Sequence, residues 1–393
     1  MESYRYVIVG GGMTGHAAAK GIRELDGEGT IALLSEEPDR PYARPPLSKK
    51  LWTSADPEES IWLETVPGVE LRLGRRVAAV DRAAREVVDD AGVRVRYEKL
   101  LLAVGGSARR LRFADERVLA FRTVRDYRRL RGAVDAGTRR VAVVGGGFIG
   151  SEIAAALAGR GVAVTMIFPE AGLCARAFPG DLSAFVTRYY TEKGVTVLAG
   201  DGVADVTAAG AGLVVRTTGG REVGADLVLA GIGIDPNVDL AARAGLAVEN
   251  GIEVDERLRT SDPAIWAAGD VAHFPSRALG KKVRVEHEDA ALSQGRFAGR
   301  SMAGDTATYD HLPFFYSDLF DLGYEAVGEL DARHQIVADW REPFRQGVVY
   351  YLDGGRVRGV LLWNTWGQVD AARALVAEAG PHRPEALAGR ITG

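Results

Sequence analysis

The sequence predicts an α/β protein in which one strand–turn–helix–strand unit occurs twice, followed by a smaller α+β segment. Two glycine-rich turns of identical spacing, Gly10-x-Gly12-x-x-Gly15 and Gly145-x-Gly147-x-x-Gly150, lie 135 residues apart. Each follows a short β-branched run and precedes an alanine-rich stretch of helical character. From about Leu312 the texture changes to aromatic-rich alternation, the period of half-buried strands.

Taken in order, Tyr6 to Val9 reads as a buried strand, Gly10 to Gly15 as a tight turn, and His16 to Lys20 as the opening of a helix. Ile31-Ala-Leu-Leu34 supplies the second, parallel strand, ending at Glu36, 26 residues after Gly10. The second copy runs through strand Val141–Val144, turn Gly145–Gly150, a helix from Ser151 and a strand over 162–168, with Glu170 just beyond. Leu100 to Gly106 and Leu227 to Gly233 read as matching strands that close the two units, and Thr260 to Asp270 as a further strand running into Gly269-Asp270. Gly347–Leu352 and Val357–Trp363, joined through Asp353-Gly-Gly-Arg356, predict an antiparallel hairpin.

Composition removes whole classes of function. Lys and Arg total 49 against 53 acids, a net charge of −4, which excludes a general nucleic-acid binder. No apolar run approaches the roughly 18 residues of a membrane span, and Met1 to Val9 has no signal-peptide pattern, so a cytoplasmic protein without a membrane role is expected. Cys174 is the only cysteine, which leaves no partner for an intramolecular redox disulfide or a cysteine metal site; it reads as a small packed residue. No metal site is visible.

The glycine turns carry the chemistry. In such a loop the first Gly permits the turn, the second admits a pyrophosphate, and the third lets helix and strand pack closely. The helix start then offers free N–H groups to phosphate. In this context Gly10, Gly12 and Gly15 predict a dinucleotide site, with Glu36 on a ribose. In the second loop Phe168 stands at the usual acid position and Glu170 follows two residues later. Arg176 is placed to pair with a 2′-phosphate that Glu170 would repel, so NADH is expected and NADPH is possible. Two dinucleotide sites in one chain imply a bound flavin and an exchanging nicotinamide, with hydride transfer between rings stacked within about 3.5 Å.

Together with Gly269-Asp270, the loops resemble the flavoprotein superfamily with two dinucleotide-binding domains. Pro41-Tyr-Ala-Arg-Pro-Pro-Leu-Ser-Lys49 is similar to a segment of the NADH-dependent ferredoxin and rubredoxin reductases and of apoptosis-inducing-factor-like proteins. Val285-Glu-His-Glu-Asp-Ala290, Phe315-Tyr-Ser-Asp-Leu, Gly323-Tyr-Glu-Ala and Leu362-Trp-Asn364 resemble the latter most. The long C-terminal insertion and the targeting segment of that group are not expected here, and Tyr316 stands where it carries a tryptophan, so a death function is not implied.

The resemblance implies a glutathione-reductase-like fold: two Rossmann-like domains and a C-terminal α+β domain. Residues 1–115 and 236–311 would bind FAD, 116–235 would bind NAD(P)H, and 312–393 would form the third domain. It places FAD on Gly10, Gly12, Thr14, Gly15 and Glu36, with Arg44, Lys49, Val77, Arg122 and Asp270 around it and His287 and Tyr316 flanking the flavin ring. The nicotinamide cofactor would use Gly146, Gly147, Phe148, Ile149, Glu170, Arg176, Gly233, Glu286, Tyr316, Glu325 and Asn364. Lys49 and Glu152 are expected to project into a shared cleft, where either charge alone would cost several kcal/mol; a Lys49–Glu152 ion pair near flavin N5 would relieve this.

An FAD-dependent NAD(P)H oxidoreductase follows, with catalysis by Lys49, Glu152 and the aromatic wall of Tyr316. Its expected acceptor is an acidic iron–sulfur protein, a ferredoxin or rubredoxin. Residues 109–140 hold eleven arginines against four acids, a docking surface or a solvated helix face. A redox-responsive protein holding NADH in a lasting charge-transfer complex, and a direct NADH oxidase or quinone reductase, are the alternatives. The chain is read as a monomer or homodimer.

Overall fold

The computed structural model describes residues 2–53, 58–113 and 115–392. Ala114, inside the arginine-rich stretch, lies outside them, as do the first and last residues of the outer expected domains. The chain divides into two compact units, one of Met1–Arg44, Glu58–Ser107 and Pro236–Phe314, the other of Pro45–Pro57, Ala108–Asp235 and Phe315–Gly393.

The core of the first unit is a sheet whose parallel part is ordered 69–72, 31–34, 2–9, 94–102. Strand Ile265–Ala267 adds in parallel beside Leu100–Leu102, while Glu86–Asp89 and Val77–Asp81 extend the other half of strand 94–102 in antiparallel fashion. Strands buried on both faces require continuous apolar runs, and Ile31–Leu34 and Leu100–Leu102 are each buried throughout. Helix Met13–Arg23 packs on helix Glu288–Ala303 through small residues. A Cβ at Gly21 would stand 2.1 Å from the Arg296 carbonyl, and one at Gly299 2.1 Å from that of Ala18. The two backbones therefore touch, and no larger residue fits between them.

The second unit repeats the pattern. Its parallel sheet runs 196–199, 163–168, 140–144, 227–230, 118–120, so strand Leu227–Ala230 stands beside Arg140–Val144 as 94–102 stands beside 2–9. An antiparallel three-stranded sheet over 203–225 covers one side. The same unit contains an antiparallel five-stranded sheet ordered 314–319, 322–328, 356–363, 346–353, 335–342, against which helix Val369–Ala377 packs. The expected hairpin is there, as strands Gln346–Asp353 and Arg356–Trp363 with Gly354 and Gly355 both at positive φ in the turn.

Aromatic rings fill this unit's interior. Trp363 stacks on Tyr324 at 5.9 Å and 8°, and Phe178 meets both edge-on. Such pairs are worth about 0.5–1.5 kcal/mol each beyond their buried area. Trp363 is thus core, whereas Trp366 is half exposed. Among the described residues no helix is long and apolar enough to cross a membrane.

Candidate functional site

The two glycine loops have the same construction. Gly10 and Gly145 sit at φ +121° and +115°, a region costly for any side chain, and a Cβ there would lie 2.1 Å from the Ala103 carbonyl and 2.3 Å from that of Gly231. The third glycines are equally closed: a Cβ at Gly15 would meet the Gly10 carbonyl at 2.0 Å, and one at Gly150 the Gly145 carbonyl at 2.1 Å. The middle glycines are open. Nothing lies within 4 Å of a Cβ at Gly147, and only an Arg44 nitrogen, at 3.8 Å, approaches one at Gly12. Protein atoms therefore explain the outer glycines of each loop, and free space above the backbone distinguishes the middle ones.

Both middle glycines are helix N-caps, before helices Met13–Arg23 and Phe148–Gly159, and neither supplies a side-chain cap. The first N–H groups of each helix are left for an external acceptor, at the positive end of the helix dipole. The second helix begins at Phe148 rather than Ser151, so Glu152 lies one turn inside it and does not open it. The reason is the N-cap geometry of Gly147, which lets the helical conformation begin at the next residue.

In the first unit, Glu36 is exposed just past strand Ile31–Leu34 and has no partner among the described residues. Its neighbour Glu37 holds Arg44 at 2.5 Å, and the Arg44 guanidinium also donates to the Tyr42 hydroxyl at 3.1 Å. Asp270 follows strand Ile265–Ala267, beside Gly269 at φ +77°, where a Cβ would strike the Thr14 hydroxyl at 2.3 Å. The fully buried Gln294 accepts from the Gly269 amide at 2.9 Å, while its own Nε2 finds no acceptor among the described residues. A buried amide group left in this state beside an open phosphate loop is what a bound polar group would satisfy. Val77 is buried at the start of its strand, and Glu286 accepts from Arg284 at 2.8 Å. His287 caps helix Glu288–Ala303; burial pushes its pKa down to about 4, against the opposing pull of Asp270 and Asp289.

In the second unit the expected ion pair is present. Lys49 Nζ lies 2.7 Å from Glu152 Oε1, with only 13% and 3% of the two side chains exposed. The Ser317 hydroxyl donates to the same Glu152 oxygen at 2.6 Å and the Ser48 hydroxyl to the other at 2.6 Å. Three donors thus surround one buried carboxylate carried by the helix after the second loop, two of them from the segment 45–53 and one from strand Phe314–Leu319. Lys49 Nζ also stands 5.0 Å from the centre of the Tyr316 ring, bringing the three expected catalytic residues together. Asp318 has its pKa raised, first by burial and further by Glu152, with Lys49 opposing.

Around the second loop, a Cβ at Gly146 would press on the Phe168 ring at 2.6 Å, so the aromatic residue at the usual acid position requires glycine there. Phe148 packs on Phe315 at 5.1 Å, Ile149 is 43% exposed beside the loop, and Gly233 adopts φ +93°. Glu170 and Arg176 pair with each other at 2.7 Å. Arg122 lies just before the capping box of Thr123 and Asp126, its amide donating to Asp126. Asn364, at φ 44°, accepts from the Gly323 amide at 2.7 Å and donates to the Arg345 carbonyl at 2.8 Å. Glu325 accepts from the Gly367 amide at 3.1 Å. Both side chains brace turns. Burial pushes the Cys174 thiol up to about 12, in keeping with a packed residue.

Ser48, Ser317 and Gln294 escape a reading of the sequence alone. The two serines stand inside quoted motifs, Pro-Leu-Ser-Lys and Phe-Tyr-Ser-Asp, but nothing in their spacing shows that they converge on Glu152.

Two uncapped phosphate loops on parallel sheets, with a buried charged pair beside one of them, define a two-dinucleotide oxidoreductase. A family model described as pyridine nucleotide-disulphide oxidoreductase matches residues 4–295. The chain belongs to that family and is a flavoprotein oxidoreductase working with FAD and NADH. It is 38% identical to the ferredoxin–NAD(+) reductase component of an anthranilate 1,2-dioxygenase system from Burkholderia cepacia, covering 100% of this chain and 99% of that one. To the mitochondrial apoptosis-inducing factor 1 of Dictyostelium discoideum it is 34% identical, over 96% of this chain and 79% of the other. Its fold superposes on the reductase of a covalent putidaredoxin reductase–putidaredoxin complex with a TM-score of 0.90 at 32% identity, covering 98% and 95% of the two chains.

Proposed function

We propose that this protein is a cytoplasmic NADH-dependent reductase that passes electrons singly to a ferredoxin or rubredoxin, without any protein thiol. The FAD would lie on Gly10, Gly12, Thr14 and Gly15, with Glu36 on its ribose; NADH would lie on Gly146, Gly147, Phe148 and Ile149. Residues 1–115 and 236–311, 116–235, and 312–393 would be the FAD, nicotinamide and C-terminal domains. The observation that carries the reading is the open middle glycine of both loops, Gly12 and Gly147, above helix ends with no cap of their own. When bound, FAD supplies a two-electron acceptor for nicotinamide hydride and a one-electron donor for the next carrier.

The chain's residues act by positioning. Gly12 and Gly147 allow phosphate to approach the helix N–H groups, and Glu36 presents a free carboxylate to ribose hydroxyls. Glu152, accepting from Ser48 and Ser317, fixes the Lys49 ammonium in one place. A fixed cation in a water-poor setting stabilises negative charge developing near it without reorganisation during reaction. Glu170, with Arg176 folded onto it, leaves a carboxylate that disfavours a 2′-phosphate, supporting NADH over NADPH. The 100% and 99% mutual coverage of the anthranilate reductase component supports a small iron–sulfur protein as acceptor.

Anaerobic stopped-flow mixing with NADH, and separately NADPH, followed by addition of a [2Fe–2S] ferredoxin, tests the reading. Rapid bleaching by NADH and prompt reoxidation by ferredoxin are expected. Slow bleaching into a persistent long-wavelength absorbance that resists both air and ferredoxin would replace it with a redox-responsive role like that suggested by the apoptosis-inducing-factor relative.

A further inference from the structure

The arginine-rich stretch does not form a uniform charged surface. Arg109, Arg117, Arg131 and Arg140 are held by Asp235, Asp115, Asp135 and Asp226 at 2.7–3.0 Å. Helix Val124–Asp135 is arranged differently. Val124, Tyr127 and Leu130 are buried, and Arg125, Arg128 and Arg129 stand exposed on its outer side at helical spacing. Arg125 has no acidic partner among the described residues, and Arg129 reaches only the backbone carbonyl of Glu116.

This arrangement works against the helix that carries it. A cation in the first turn opposes the macrodipole, and Arg125 with Arg129 four positions on is a like-charge pair; each effect costs a few tenths of a kcal/mol. A glutamate at position 125 would suit the helix dipole better. The charge of Arg125, with no acidic partner among the described residues, is open to a partner outside the chain.

The inner side of the same helix shows what that partner would approach. Arg131 donates to the Leu51 carbonyl at 3.1 Å, Tyr127 to the same oxygen at 3.4 Å, and the Tyr127 and Trp52 rings meet edge-on at 5.5 Å. Leu51 and Trp52 follow Ser48 and Lys49, the residues that hold Glu152. A protein seated on the arginine row is separated from this segment by one helix thickness, about 10 Å.

Resting on the ferredoxin reading above, we propose that the outer face of helix Val124–Asp135, through Arg125, Arg128 and Arg129, docks the acidic surface of the iron–sulfur acceptor. Complementary charge here raises the association rate and sets the partner's orientation.

The test uses the holoenzyme carrying Arg125→Glu and Arg129→Glu together. Glutamate in the first half of the helix suits the dipole, so folding is retained; the thermal midpoint checks this. Reduction of an acidic [2Fe–2S] ferredoxin and of ferricyanide, both driven by NADH, is followed at about 10 mM and about 150 mM salt, where screening lengths are about 30 and 8 Å. Ferredoxin kcat/KM at low salt is expected to fall roughly tenfold and its salt dependence to flatten, with ferricyanide turnover unchanged. Arg139→Glu, an exposed arginine at the far end of strand Arg140–Val144 from the glycine loop, serves as the charge control and should leave ferredoxin kcat/KM near that of the unsubstituted enzyme. An unchanged ferredoxin kcat/KM and salt slope, an equal loss in the control, or a parallel loss of ferricyanide turnover would each overturn the proposal. If the unsubstituted enzyme reduces ferricyanide but no ferredoxin at either salt, the acceptor reading itself fails.

Discussion

Replacing Lys49 by Met leaves the Glu152 carboxylate at 3% exposure with two serine hydroxyls and no cation. Removing one partner of a buried pair ordinarily costs about 3–5 kcal/mol, because the remaining charge is stranded. Here two hydrogen bonds to the carboxylate survive, each worth about 1.5–3 kcal/mol to a charged acceptor, so the low end applies: about 3 kcal/mol. Glu152→Gln strands Lys49 instead, but that side chain keeps 13% exposure and a flexible stem, so about 1–2 kcal/mol is expected. The double variant removes both charges and should be more stable than the sum of the single losses implies, by about 2 kcal/mol.

Denaturant unfolding of the holoprotein measures all four species, with released flavin fluorescence recorded separately so that cofactor loss is not counted as unfolding. The coupling should change little between low and high salt, since a buried pair is poorly screened. Single losses that add to within about 0.5 kcal/mol, or a Lys49→Met cost below about 1 kcal/mol, would refute the reasoning. A hydride-transfer rate from NADH that is unchanged in Lys49→Met would separately remove Lys49 from catalysis while leaving its structural role intact.

The glycines should divide by position. Gly147→Ala, with nothing within 4 Å of its Cβ, should keep the thermal midpoint and lose NADH affinity at least tenfold, whereas Gly10→Ala, at φ +121° and 2.1 Å from the Ala103 carbonyl, should fail to accumulate as folded, yellow protein. Acid should destabilise the fold through His287: its pKa falls from 6.5 to about 4 on folding, so the unfolded chain binds more protons between these values and stability drops as pH falls through them, by about 3 kcal/mol in all. His287→Gln should flatten the pH 4–6.5 limb of the unfolding curve; an identical limb would remove His287 as its cause. Cys174, with its thiol pushed up to about 12, should resist iodoacetamide at pH 8 in the folded state, and Cys174→Ala should turn over NADH normally; rapid alkylation seen by mass spectrometry would contradict the burial.

The sequence was most informative where one residue type admits one explanation. Apolar runs placed beside glycine turns mark Tyr6–Val9, Ile31–Leu34, Val141–Val144 and Leu227–Ala230 as buried parallel strands in the sequence itself. A lysine and a glutamate more than a hundred residues apart could be paired because two loops of one design imply equivalent environments. Ser48 and Ser317 were not visible, because a hydroxyl donor has no periodicity and its partner is fixed only by tertiary packing. The bonds by which the Asn364 amide braces backbone at Gly323 and Arg345 are equally invisible in its motif. Glu152 was misplaced by one turn because an N-cap glycine carries no side-chain signal to mark where its helix begins.

A glycine can be required either by the protein or by what the protein holds, and the structure separates the two causes. Gly10, Gly15, Gly145 and Gly150 are accounted for by carbonyl oxygens 2.0–2.3 Å from where a Cβ would stand; the fold alone would demand them. Gly12 and Gly147 meet no such obstacle, and as N-caps they forgo the hydrogen bond that Ser, Thr, Asp or Asn would supply, a loss of a few tenths of a kcal/mol. Both positions therefore run against local stability in the protein by itself, in the same place on two sheets of the same strand order. A ligand that approaches the helix end closely and carries negative charge would supply the compensating interaction.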